Sequence, residues 1–192
     1  MKSECTLIVD IDGTLIPVLV DFEELRARIR RLLGVDHPLR PLGESIESLD
    51  VSTELKKEAW SLIEKAEEES LSRLNPHELE ENARAVVKAV EKGVAVVFIT
   101  MRSSKTASKI LEALGLHRVA RSVVTRDVAA SRVGQLRHVV NAGLARGRVV
   151  FLGDTPYDEQ AARALSIEFL KVENYKMLRH AVEKALEICG LA

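Results

Sequence analysis

Five short stretches of the chain read as strand-like, 5–10, 94–100, 119–125, 148–152 and 167–172, and several of them are continuously apolar. Runs such as Val-Ala-Val-Val-Phe-Ile over 94–99 read as strands buried on both faces, because a half-exposed strand would alternate apolar with polar. Between the later runs, segments 104–114, 132–145 and 156–165 carry apolar residues at helical spacing. Strands alternating with helices predict a parallel α/β sheet. A last amphipathic helix is predicted over 175–188. Segment 16–75 breaks the rhythm, with no convincing strand and two amphipathic helices. One carries Phe22, Leu25, Ile29 and Leu32 on one side; the other carries Leu55, Ala59, Leu62, Ile63, Ala66, Leu71 and Leu74. A Pro- and Gly-rich link over 34–45 joins them. The expected organisation is an α/β core from 1–15 and 76–192, with a helical insertion, 16–75, sitting over the sheet. A helix over 76–92, stopped by Gly93, leads back to the second strand.

Composition narrows this picture. With 192 residues, 46% of them hydrophobic, the chain can bury one core plus an insertion. A net charge of -1 supplies no bulk field for nucleic acid or an anionic membrane. The longest apolar run, 94–99, is too short to span a bilayer, and Met1-Lys2-Ser3-Glu4 lacks a signal-peptide pattern. Cys5 and Cys189 are the two cysteines, neither in a Cys-x-x-Cys pair, so two reduced thiols in a cytoplasmic protein are expected. Thirty per cent charged residues with only two Gln and four Asn point to a heat-adapted source.

The chemistry concentrates at strand ends. Asp10-Ile11-Asp12-Gly13-Thr14-Leu15 follows the first run. Two carboxylates two residues apart on extended backbone project to one side, and Gly13 lets the chain turn just past them. At about 4 Å and an effective dielectric near 20, two such charges repel by about 4 kcal/mol, so a cation, a proton or both must relieve them. The second run ends in Thr100, whose hydroxyl and nearby backbone N–H groups can receive an anion. The fourth runs into Gly153-Asp154-Thr155-Pro156-Tyr157-Asp158. Asp154 stands at a strand end like Asp10. Asp158 is close enough to face the same site, or can complete a capping box with Thr155 three residues earlier.

These three motifs, in this order and at these intervals, resemble the first, second and fourth motifs of the haloacid dehalogenase superfamily over roughly residues 6–162. The resemblance implies a Rossmann-like sheet in the order 5-4-1-2-3 with an inserted helical cap. Asp10 and Asp154 would then lie on adjacent strands at the switch point where open α/β sheets bind ligands. It implies Asp10 as a nucleophile forming an aspartyl-phosphate and Asp12 as general acid and then base. Mg2+ is implied as cofactor, held by Asp10, Asp154 and Asp158 and by the backbone carbonyl of Asp12. Thr100, Met101 and Arg102 are implied phosphate contacts, Arg102 otherwise facing water. The family's third motif is usually a Lys, but no Lys occurs between Lys109 and Lys171. Arg132, opening a helix, is the best replacement, with Arg137 and Arg126 behind it; Arg can grip phosphate in a bidentate way. The resembling dehalogenases lack the second acid, so Asp12 favours phosphoryl transfer.

The expected activity is Mg2+-dependent hydrolysis of a small phosphorylated metabolite, with a phosphoglycolate-phosphatase-like enzyme as one guess. A phosphomutase and a non-catalytic binding protein are the rivals. Specificity should lie in 16–75, which closes over the substrate. No nucleic-acid or membrane partner is expected, and the chain is expected to be a monomer or homodimer. Arg26, Arg28, Arg30 and Arg31 read as a solvated helix face, His37 and Arg40 as surface loop, and Trp60 as packing. His77, His117, His138 and His180 are scattered, without metal-ligand spacing.

Overall fold

The computed structural model describes residues 4–191. The residues read above for a leader pattern, 1–3, therefore lie outside the described part. Strand β1 (Cys5–Asp10) is central and buried along its whole length. The other strands are β2 (Ala95–Ile99), β3 (Ser122–Val124), β4 (Arg148–Gly153) and β5 (Glu168–Lys171). All pairings are parallel, in the order β3-β2-β1-β4-β5. This is the order implied by the resemblance, read from the other edge. The chain runs outward from β1 in one direction through β2 and β3, and in the other through β4 and β5. The crevice at the carboxyl ends of β1 and β4 is thus the topological switch point. The register places Asp10 beside Ile99 and Val9 beside Leu152, so the acid-bearing ends of β1 and β4 emerge together.

Helices α4 (Glu80–Glu91), α5 (Ser104–Ala113), α6 (Arg132–Asn141), α7 (Pro156–Ala164) and α8 (Leu178–Ile188) cover the sheet. One apolar cluster joins Leu7, Val9, Val96 and Phe98 to Val86, Ile110 and Val182. A second, on the other face, joins Ile8, Val97 and Phe151 to Leu136, Val139 and Ala161. The two-faced burial is why these strands read as unbroken apolar runs. The third strand is shorter than its strand-like run, because the backbone N–H groups of Val119 and Ala120 bond back to Leu116 O in a turn that follows α5.

Helices α1 (Phe22–Leu33), α2 (Leu42–Ser48) and α3 (Thr53–Ser70) lie between β1 and α4 in the chain. They pack around their own apolar cluster, which includes Leu25, Ile29, Leu39, Ile46, Ala59 and Ile63. Asp21 caps α1 by accepting from the N–H groups of Glu23 and Glu24, and Gly34 closes it in a left-handed conformation. Segment 34–45, expected as a Pro- and Gly-rich link between two helices, runs at its end into a further helix, α2. Leu42, Ile46 and Leu49 recur at helical spacing, but Pro38, Pro41 and Gly43 hide the pattern, and packing against the third cluster supplies what intrinsic propensity does not.

The expectation of two reduced thiols is overturned. Cys5 and Cys189 form a disulfide, with Cα atoms 5.9 Å apart and a sequence separation of 184. The start of β1 and the residue after α8 meet only in the folded chain, so spacing along the sequence held no sign of the bond. Among the described residues no helix is long and apolar enough to cross a membrane.

Candidate active site

The site begins with the turn that follows β1. The N–H groups of Leu15 and Ile16 both donate to Ile11 O, and Gly13 N donates to Ile16 O at 2.8 Å. Gly13 has φ +85, and a Cβ there would stand 2.1 Å from Asp154 Oδ2. Only glycine lets this turn pass against Asp154. Asp10, at the strand end, is 2% exposed. Asp154 follows β4, and its Oδ1 accepts from the Thr14 hydroxyl at 3.4 Å.

Asp158, on α7, is wholly buried. Its Oδ2 accepts from Thr155 N (3.0 Å) and Thr155 Oγ1 (2.7 Å), while its own N–H donates to Thr155 Oγ1, a reciprocal capping box. Its Oδ1 is buried with no hydrogen bond, although Arg132 Nε lies 2.6 Å away outside hydrogen-bond geometry. The two readings of Asp158 therefore fall on different oxygens of one carboxylate.

Arg132, the first residue of α6, stands between two of the acids. Its Nη2 donates to Asp10 Oδ1 at 2.6 Å and its Nη1 to Gln135 Oε1 at 2.8 Å. Arg137 is exposed and far from this role. Arg126 is ion-paired to Glu67 of α3 and donates to Met101 O at 3.0 Å. Thr100 accepts the Arg102 N–H on its hydroxyl oxygen at 3.1 Å, which leaves its own O–H free to donate. Met101 follows, its carbonyl taken by Arg126. Arg102 is 2% exposed, so it does not face water; its Nε and Nη2 grip both oxygens of Asp12 at 2.7 Å. The acids of the first motif thus part company. Asp10 turns to Arg132 and Asp12 to Arg102, because β1 ends at Asp10 and the same-side geometry of an extended strand ends with it.

Asp10, Asp154 and Asp158 each present an oxygen within 4.8 Å of the others. Burial, opposed by Arg132, holds the Asp10 carboxyl well above the ordinary carboxylate range, and Asp158, Asp154 and Asp12 push it further up. Burial, with Asp158 beside it, pushes Asp154 up to about 6. Counting Asp12, four carboxylates face two guanidiniums, so two negative charges await compensation. The donor set is all hard oxygen, and the buried Asp158 Oδ1 has no hydrogen bond beside its ion pair with Arg132, so these residues fit a divalent cation. The side chain of Asp12 is not part of this group.

Two residues escaped the sequence reading. Gln135 is fully buried; its Nε2 donates to Thr100 O (2.7 Å) and Ala129 O (3.2 Å) while its Oε1 accepts from Arg132. It is one of only two glutamines and lies three residues after Arg132 on a helix, which was the available signal. Glu67 is 4% exposed and accepts from Arg126, Ser103 N (3.2 Å) and Thr106 Oγ1 (2.8 Å). It ties α3 to the loop after β2. Its signal was a charge on an apolar stripe, four residues after Ile63. Burial pushes its carboxyl up, against the opposing pull of Arg126. Above the acids opens a cavity of about 280 Å3, floored by Asp10, Asp12, Thr100, Arg102, Arg132 and Asp154.

Parallel sheet, switch-point crevice and clustered aspartates define a Rossmann-like α/β architecture with an acidic site at its switch point. The sequence profile of the haloacid dehalogenase-like hydrolases matches residues 26–172, and the chain belongs to that family. The matched span begins after Asp10 and Asp12 and includes Thr100, Arg132, Asp154 and Asp158. No curated protein matches the chain in sequence. Solved structures share the fold. A haloacid dehalogenase-like family hydrolase from Streptococcus pneumoniae superposes with a TM-score of 0.57 at 16% identity, covering 99% of both chains. A protein provisionally described as a phosphoglycolate phosphatase, from Lactobacillus plantarum, gives 0.61 at 14% identity over 100% of both. One provisionally described as a β-phosphoglucomutase, from Thermotoga maritima, gives 0.54 at 19% identity over 97% of this chain and 98% of its own.

Proposed function

We propose that this protein is a Mg2+-dependent phosphatase that hydrolyses a small phosphomonoester through an aspartyl-phosphate. The observation that carries the reading is the convergence of Asp10, Asp154 and Asp158 beside Arg132 at the floor of a cavity. The metal would be held by Asp10, Asp154 and Asp158, with the Asp12 carbonyl as a further ligand. When bound, Mg2+ supplies positive charge to the phosphoryl oxygens and offsets the crowding of carboxylates.

An Asp10 carboxylate oxygen attacks phosphorus, and the bond from phosphorus to the alkoxide oxygen of the substrate breaks. Asp12 gives the departing oxygen a proton. Asp12 then takes a proton from water as that water attacks the aspartyl-phosphate, releasing inorganic phosphate and restoring Asp10. Arg102 bonds both Asp12 oxygens, so each proton transfer would use a lone pair that the guanidinium does not occupy. Arg132 aims the Asp10 carboxylate, and Gln135 holds Arg132 and Thr100 in mutual register. The free Thr100 O–H and the backbone N–H of Met101 receive phosphoryl oxygens.

The test is phosphate release from a panel of metabolites with and without Mg2+, using Asp10→Asn as control. Release that requires the metal and is abolished in the variant supports the reading. Absence of phosphate release throughout the panel overturns it, and an isomerised sugar phosphate in place of free phosphate assigns a mutase.

A further inference from the structure

We infer that the natural substrate carries an apolar, aromatic leaving group, and that polyhydroxylated and short acidic phosphoesters are poor substrates. This rests on the phosphatase reading above and names its substrate class. The cavity changes character with distance from the acids. Its floor is charged, but the wall built by the helical segment and its approach is made of Val18, Val20, Phe22, Leu42, Trp60 and Ile63. Tyr157, on α7, lines it from the other side. Three of the seven aromatic residues of the chain thus line one small cavity, although two others, Phe98 and Phe151, are needed in the core.

The apolar character continues to the rim. Val18 and Tyr157 are 51% and 44% exposed, and they are two of five large apolar side chains that stand so open among the described residues. Isolated exposed apolar residues are ordinary, but two at the mouth of an apolar cavity extend its surface for a ligand. Gly43 adds shape: a Cβ there would lie 2.9 Å from the Met101 methyl and 3.1 Å from the Trp60 ring, so the wall is flat and closely packed at that point.

Most polar groups of the wall are engaged elsewhere, the exposed Glu44 being the charged exception. Glu67 is bound to Arg126, Ser103 and Thr106. Arg26 gives Nε to Leu39 O (3.2 Å) and Nη1 to Glu23 (2.8 Å), and lies over the Phe22 ring. Trp60 gives its indole N–H to Glu47 Oε1 at 2.8 Å, so the ring offers the cavity a face and no donor. Arg126 sits behind that ring, 5.3 Å from its centroid. A sugar placed here buries hydroxyls against carbon, and each unpaired hydroxyl costs about tenfold or more in specificity. An aromatic ring meets matching surface and gains from its burial.

The leaving group must be compared at constant chemistry, because aryl esters such as nitrophenyl phosphate react faster on any phosphatase. Benzyl or 2-phenylethyl phosphate, glucose 6-phosphate and 2-phosphoglycolate all release a primary alkoxide. We expect kcat/KM for the phenylethyl ester to exceed that for glucose 6-phosphate by about 100-fold. In Leu42→Asn that ratio should fall at least tenfold. Trp60 is the only tryptophan, so the native protein reports occupancy without turnover. Benzylphosphonate should shift its emission at concentrations where a sugar phosphonate does not. Glucose 6-phosphate or 2-phosphoglycolate turned over as well as the phenylethyl ester overturns the inference while leaving the phosphatase reading standing. An emission that ignores benzylphosphonate also overturns the inference. No phosphate release from any ester overturns the phosphatase reading and the inference with it.

Discussion

Removing the guanidinium of Arg132 probes the site most directly. Arg132→Ala deletes a cation whose Nη2 is 2.6 Å from Asp10 and whose Nε is 2.6 Å from Asp158. With charge centres about 4 Å apart and an effective dielectric near 20, each attraction is about 4 kcal/mol, most of it offsetting the cost of burying the ions. Truncating one partner strands the rest, so unfolding free energy should fall by about 3–5 kcal/mol in EDTA. The loss should be smaller in saturating Mg2+, because the metal supplies the missing charge to Asp10. Gln135 also loses the donor to its Oε1. With the nucleophile no longer aimed, kcat/KM for phosphate release should fall by about 10²–10³-fold. Arg132→Lys keeps the charge but lacks the planar fork that reaches Asp10, Asp158 and Gln135 at once, and should fall between. Urea unfolding in EDTA and in Mg2+, alongside steady-state phosphate release, measures both effects. If Arg132→Ala stays within about threefold in kcat/KM and about 0.5 kcal/mol in stability, Arg132 behaves as a surface residue and the reasoning is refuted.

Two further outcomes follow from the same structure. The Asp154 carboxyl titrates near 6 in the folded chain against an ordinary value of 3.8. The folded state therefore binds this proton more tightly than the unfolded state, and stability of the metal-free protein from this group falls as pH rises from about 4 to 6. Mg2+ should accordingly raise the melting temperature at pH 7.5 and lose that effect at pH 5, where protons compete for Asp154 and Asp10. An Mg2+ stabilisation independent of pH contradicts this. The disulfide closes a loop of nearly the whole chain, so Cys189→Ala should cost about 2–4 kcal/mol; an unchanged urea midpoint, with and without reductant, would show that the bond contributes nothing to stability.

The strand cores and the carboxylates at their ends were legible along the chain for a physical reason, whereas the order of the sheet came from the family resemblance. Strands buried on both faces must be apolar throughout, and a carboxylate just past such a strand has few structural uses. The position of Arg132 beside the acids could also be anticipated, since the resemblance calls for a cation there and no lysine occurs over that span. Arg102 could not. Its neighbours in sequence suggest either a phosphate contact or a solvated side chain, and only folding brings it onto Asp12, ninety residues away. The α2 helix was hidden by its prolines and glycine, which argue locally for a loop.

What the sequence determined by itself is therefore the periodic and the local: strand cores, helix faces, the glycine turn after Asp10, the capping pair Thr155 and Asp158. Each depends on residues within a few positions of one another. What only the tertiary structure decided is pairing at a distance: Asp12 with Arg102, Glu67 with Arg126, Cys5 with Cys189, and the apolar wall from Val18 to Ile63 facing the acids. Those contacts depend on how helices and turns distant in sequence lie against the sheet. Backbone periodicity carries no record of that placement, since the burial of many side chains together sets it.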